Sequence, residues 1–106
     1  MAETVKAEDV KKIVFVCEAG MGSSLIGANQ LKRKLKAAGL NVKVVHSPVH
    51  SVPDDADIVI AHAGLAKRAR EAAEHAVVIA FQNFVNNPVY GEIATKLKEG
   101  KEISAR

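Results

Sequence analysis

The residues best equipped to do chemistry stand in one short stretch, Cys17-Glu18-Ala19-Gly20-Met21-Gly22-Ser23-Ser24, and Cys17 is the only thiol of the chain. Ahead of it runs Ile13-Val14-Phe15-Val16, apolar and rich in β-branched residues, which reads as a buried strand. Behind it begins a segment with helical spacing. Gly20 and Gly22 let the backbone reach positive φ, so the loop's N–H groups can turn inward. A concave row of amides before a helix N-terminus is an anion site, reinforced by the helix dipole. The same field stabilises a thiolate, lowers the cysteine pKa and makes Cys17 a nucleophile at neutral pH. A thiolate and a phosphate-sized nest in one loop point to phosphoryl transfer through a phosphocysteine.

A lone cysteine at a strand end is often only a small, inert hydrophobe. The Gly-x-Gly-Ser-Ser that follows Ala19 tips the reading toward function, since a structural turn rarely gathers so many small and hydroxyl residues. Glu18 to Ser24 contains no arginine, lysine or histidine. A dianion here would be held by backbone amides and the helix dipole, with the Ser23 and Ser24 hydroxyls assisting.

Around this loop the chain alternates between the two periods of secondary structure. Lys12–Val16 is expected as the first strand. Leu25, Ala28, Leu31, Leu35 and Ala38 then recur at steps of three and four, one face of a helix that Gly39 would cap. Val42, Val44 and Val45 suggest a second strand, and Ser47 to Asp55 a loop. Asp57–Ala61 is a third strand, apolar enough to be covered on both faces. A helix over about Leu65–Glu74, a strand over Ala76–Ala80 and a helix from about Pro88 to Lys98 complete the pattern. Such alternation predicts one small doubly wound α/β domain, four parallel strands flanked by three helices. Residues 1–10 are expected as a flexible arm or linker, 11–100 as the domain and 101–106 as a frayed tail. Ligands of such sheets bind beyond the carboxyl ends of the strands. Cys17, His62 and Gln82-Asn83 should therefore meet at one edge.

With 106 residues, 48% of them hydrophobic, the chain suits a single core. No apolar run approaches the ~18 residues that span a bilayer, and Met1 to Lys6 lacks the apolar centre of a signal peptide. A single cysteine forms no internal disulfide, which suits a reducing cytoplasm. His46, His50, His62 and His75 show no ligand spacing with Cys17, so neither a metal nor another cofactor is expected. Net charge is +3, and the excess lies in Lys32-Arg33-Lys34 with Lys36 and in Lys67, Arg68 and Arg70. These runs read as solvated helix faces. Aromatics at 4% offer no stacking platform for nucleic acid.

At Cys17-Glu18-Ala19-Gly20-Met21-Gly22-Ser23-Ser24 the sequence closely resembles the IIB domain of the mannitol-class permeases of the bacterial sugar phosphotransferase system. The likeness runs from about Lys12 to Lys98 and takes in Ile58-Val59-Ile60-Ala61-His62, Asn83-Phe84 and the last helix near Tyr90. It implies a protein-phosphocysteine–sugar phosphotransferase. Cys17 would accept phosphate from a phosphohistidine on a IIA protein or domain. It would donate that phosphate to a sugar, mannitol or a related polyol, bound by the membrane permease IIC. Glu18, Ala19, Gly20, Met21, Gly22, Ser23 and Ser24 would wrap the phosphate. The family more often carries aspartate where Glu18 stands. His62, by its position, would orient the loop or supply a nearby cation, or else be a hydrogen-bonded strand-end residue. The resemblance implies a place at the cytoplasmic face of the membrane beside IIC, without insertion of this segment.

Two other readings share the pattern. A small tyrosine phosphatase also sets a cysteine in a strand-to-helix phosphate loop, but it needs an arginine six residues on, where Ser23 stands. It needs an acid for the leaving group as well, and Asp54, Asp55 and Asp57 are the loose candidates. A regulatory phospho-acceptor of the same fold would take phosphate without passing it on.

Overall fold

A computed structural model gives the architecture and describes residues 3–17, 23–83 and 86–105. Its centre is a four-stranded sheet of β2 (Lys12–Cys17), β3 (Lys43–Pro48), β4 (Ile58–His62) and β5 (Val77–Phe81). The spatial order is β3-β2-β4-β5 and every pair is parallel. Helices α1 (Ser23–Ala37), α2 (Ala66–Ala72) and α3 (Val89–Glu99) supply the layers. The expected fold class is the observed one, with each expected strand found within a residue of its place except the second, which runs on to Pro48.

Alternation along β2 divides the core. Ile13 and Phe15 face one side, where they pack with Ile58 and Ile60 beneath α1 and α3. Val14 and Val16 face the other, with Val59 and Ala61, beneath α2. All eight are 0% exposed, the signature of a parallel sheet sandwiched between helix layers. Tyr90 of α3 is also fully buried, its ring centroid 5.8 Å from both Phe15 and Phe81 at interplanar angles of 55° and 67°. These tilted contacts suit aromatic quadrupoles. On the α2 side the residues are smaller: Ala69, Ala73 and Ala76 close the layer, while Ala72 is exposed.

The helix ends follow their residue types. Gly39 at φ 74° ends α1, with Leu40 N–H donating to Leu35 O at 3.0 Å, and Gly100 at φ 75° does the same for α3. Before α3, the Asn87 side chain accepts from Val89 N–H at 2.9 Å.

Several expectations need correction. Leu25 is not on the inner face of α1; it is 52% exposed. At 3.6 residues per turn it stands roughly 90° from the stripe of Ala28, Leu31 and Leu35. The residues expected as a loop from Ser47 begin inside β3, which continues to Pro48 before a 3-10 turn over Val49–Ser51. Proline is tolerated there because β3 is an edge strand. The buried Ser47 Oγ donates within this turn, to Ser51 O at 3.0 Å. The arm and tail, expected as flexible and frayed, pair with each other. Thr4–Val5 (β1) runs antiparallel to Ile103–Ser104 (β6), and Val10 and Ile103 join the α1–α3 core. Two-residue strands carry no readable period, so burial of Ile103 and Val10 is what the pattern hid.

At the amino edge of the sheet Asp57 holds the strands together. Its Oδ2 accepts from Lys11 N–H at 2.8 Å and Lys12 N–H at 3.0 Å, and its own N–H donates to Lys12 O at 2.9 Å. Asp57→Ala would leave two backbone donors without this acceptor. We expect a loss of about 1–2 kcal/mol in urea unfolding. Burial also pushes the Tyr90 phenol above the ordinary 10.0. The folded state then holds this proton more tightly than the unfolded chain. Its contribution is intact below pH ~10 and is lost as pH rises beyond it. Urea midpoints measured upward from about pH 10 should fall steeply in the wild type and less steeply in Tyr90→Phe.

Candidate functional site

In a doubly wound sheet the crevice opens where neighbouring strands send their helices to opposite faces. That condition is met by β2 and β4, since α1 leaves β2 toward one face and α2 leaves β4 toward the other. Cys17 is the last residue of β2 and His62 the last of β4. The ladder pairs Ile13 with Ile58 and Phe15 with Ile60, so the same offset sets Cys17 level with His62. Pro48 pairs with Cys17 on one side, and Phe81 with His62 on the other.

β2 ends at Cys17 and α1 starts at Ser23, as a strand–loop–helix unit requires. The expected loop residues Glu18, Ala19, Gly20, Met21 and Gly22 lie outside the described residues, and for Cys17, Ser23 and Ser24 the backbone alone is described. The first turn of α1 carries no acidic residue, whereas its last turn carries Lys34 and Lys36. The positive end of the dipole therefore meets no carboxylate of its own helix, while lysines complement the negative end.

His62 has a defined local task. Its Nδ1 accepts from Gly64 N–H at 3.1 Å and caps the 3-10 turn Ala63–Leu65 that leads into α2. A nitrogen that accepts carries no proton, so this geometry assigns the neutral ring with its hydrogen on Nε2. Of the roles weighed for His62, the hydrogen-bonded strand-end residue matches this contact; a cation would have to give the cap up.

The third expected segment, after β5, also reaches this edge. Asn87 Nδ2 donates to Asn83 O at 2.9 Å, folding the connection back on itself, and Gln30 of α1 hydrogen-bonds Asn86. Phe84 of the same connection lies outside the described residues. Gln30 and Asn86 were not foreseen. Their partnership spans 56 positions and leaves no periodic trace.

The carboxylates weighed as acids stand at the opposite edge. Asp57 precedes β4 and is engaged with Lys11 and Lys12 N–H. Asp55 pairs with Lys12 Nζ at 2.8 Å, which holds its carboxyl below the ordinary 3.8. Asp54 belongs to the same turn before β4. None of these three is near the carboxyl end of β2. His46, His50 and His75 are exposed, as are Lys32, Arg33, Lys34 and Lys36. Among the described residues no group of His, Cys, Asp and Glu could hold a metal ion, and no helix is long and apolar enough to cross a membrane.

Residues 12–96 match the family model described as "PTS system, Lactose/Cellobiose specific IIB subunit". The chain belongs to this IIB family. Relatives of this IIB domain include the "PTS system mannitol-specific EIICB component" of Geobacillus stearothermophilus, 47% identical over 97 residues, covering 92% of this chain and 21% of that protein. The protein of the same name from Bacillus subtilis (strain 168) is 44% identical over 98 residues, 92% of this chain and 20% of its own length. A "PTS system mannitol-specific EIICBA component" of Buchnera aphidicola is 41% identical over 91 residues, 85% of this chain and 14% of its own. The IIB domain described here thus spans about a fifth or less of these relatives.

The capping contact yields a direct test. Nitrogen NMR of the neutral His62 ring should find the proton on Nε2 and the lone pair on Nδ1. A Cβ added by Gly64→Ala would stand 3.3 Å from Nδ1, so this variant should shift the ring signals by displacing the imidazole. A ring protonated on Nδ1 in the neutral state would remove the cap from the account.

Proposed function

We propose that this IIB domain is the phosphoryl-transfer component of a sugar phosphotransferase system and that Cys17 is its carrier. One observation carries the reading: in a member of the IIB family, the only thiol ends β2 at the carboxyl edge, one loop ahead of α1. Transfer proceeds in two displacements. The Cys17 thiolate attacks the phosphorus of a phosphohistidine on a IIA protein; the S–P bond forms as the N–P bond breaks, and the histidine is released. A sugar hydroxyl then attacks the same phosphorus. The O–P bond forms, the S–P bond breaks, the hydroxyl proton passes to solvent or a base, and the thiolate is restored. Little covalent work falls to the protein, so alignment and charge stabilisation dominate. The amides of Glu18–Ser24 and the uncompensated N-terminus of α1 would supply that stabilisation.

The sugar is assigned as mannitol or a related polyol. The mannitol-named relatives, at 41–47% identity over most of the chain, support this over the broader lactose/cellobiose description of the family model. IIC would present the sugar from the membrane, with this domain at the cytoplasmic face. The donor must cover the start of α1 to reach Cys17. Among the described residues the exposed large hydrophobics are Leu25 and Ile26, 52% and 47% exposed, both in the first turn there. Asn29, Lys32 and Arg33 share a shallow concavity with Ile26. An apolar centre with a basic rim suits docking of a protein with an acidic border.

Cys17→Ser should fold, gain no mass from phosphorylated IIA and pass no phosphate to sugar. A serine variant that transfers at the wild-type rate would move the carrier elsewhere. Ile26→Asp should raise KM for phosphorylated IIA at least about fivefold, the scale of a docking residue worth 1 kcal/mol. Thermal stability should hardly change, since the side chain is half in solvent.

A further inference from the structure

Gln30 and Asn86 make two hydrogen bonds across the surface between α1 and the β5–α3 connection. Gln30 Nε2 donates to Asn86 Oδ1 at 3.1 Å, and Asn86 N–H donates to Gln30 Oε1 at 2.8 Å. Asn86 has φ 54°, the one non-glycine in the left-handed region among the described residues. Both bonds are open to water, where such contacts add little net stability, and the backbone conformation costs something to hold. Asn87 adds order from within, bonding Asn83 O on one side and Val89 N–H on the other. The arrangement fixes a position more than it stabilises a fold.

What it fixes is the connection that leaves the same carboxyl edge of the sheet as Cys17 and His62. The connection leaves the carboxyl end of β5, next to the end of β4 at His62, and α1 is the helix that begins at the Cys17 loop. Between them lies a concavity of about 360 Å³, lined by Gln30, Asn86 and Asn87 and carrying the cations Arg33 and Lys34. We infer that Gln30 and Asn86 are positioning residues: their clasp sets the β5–α3 connection against α1 and so shapes the surface that a phosphodonor protein must cover. This rests on the transfer reading above. Because neither residue acts on the reacting atoms, loss of the clasp should weaken donor docking and leave the thiol chemistry alone.

The test uses phosphorylated IIA as donor and iodoacetamide as a small probe of Cys17. In the wild type the Asn86 amide should be protected from exchange. In Gln30→Ala that protection should vanish, KM for the donor should rise about fivefold, and kcat and the alkylation rate should stay within about twofold. Asn86→Gly keeps the left-handed backbone and the bond to Gln30 Oε1 but loses Oδ1, so KM should rise only about twofold. The double variant should be no worse than Gln30→Ala alone, because the two residues act as one unit. A general loss of stability would instead move kcat and alkylation, and independent docking contacts would add. The proposal is overturned by an unprotected Asn86 amide in the wild type. It is equally overturned if Gln30→Ala loses protection while KM is unchanged, or if the two effects are additive. A wild-type domain that takes no phosphate from the donor would sink the transfer reading and this proposal together.

Discussion

The register of β2 against β4 is the constraint on which the rest of this domain depends. Side chains on a strand alternate with period two, so a slip of one residue would exchange the two core faces. Ile13 and Phe15 would turn to the alanine-lined layer under α2, and Val14 and Val16 to the aromatic layer under α3. The same slip would take Cys17 off the level of His62. Asp57 guards against it at the amino edge. One carboxylate oxygen accepts two successive N–H groups of the chain entering β2, while the Asp57 N–H pairs with Lys12 O. That contact fits one register alone, and it lies a full strand length from the candidate site.

The two layers divide the remaining work by size. Beneath α1 and α3 the large residues Phe15, Tyr90 and Phe81 interlock, so α1 is seated on a rigid surface. Beneath α2 the alanines allow a short helix to lie close, and the turn that starts it is capped by His62. The helix that begins at the thiol loop thus rests on the stiffer layer. The histidine at the neighbouring strand end is tied to the lighter one. The β1–β6 ribbon closes the α1–α3 layer from outside through Ile103 and Val10.

Strands and helices were legible wherever burial repeats with a period, which covers the sheet, α1 and α3. The proposed chemistry rests on a different signal: a thiol, two glycines and two serines in eight residues are a local composition that needs no partner. Features that depend on distant pairs were not. Asp57 looked like a spare acid because nothing in its neighbourhood reveals that it faces Lys11 and Lys12, some 45 positions away. Thr4–Val5 and Ile103–Ser104 are too short to show alternation. Leu25 misled because a step of three from Ala28 fits a helical stripe on paper, while the true stripe is narrow enough to leave it in solvent.

The same distinction bears on the proposed role as a carrier rather than a hydrolase. A phosphatase grips the phosphoryl group with an arginine and supplies an acid and a water. Here Ser23 stands in the arginine's place, and the candidate acids are bound at the far edge of the sheet, Asp55 to Lys12 and Asp57 to the backbone. In the proposed site the phosphoryl group would be held by backbone amides and the helix dipole, fixed groups that stabilise charge without delivering protons. On the proposed reading such a site would hold a phosphoryl group loosely enough for a second nucleophile to take it, and would offer water no help in arriving first. Selectivity between sugar and water would then fall to whatever covers the carboxyl edge during transfer, which would make the surface of α1 and the connection after β5 part of the proposed mechanism along with the thiol.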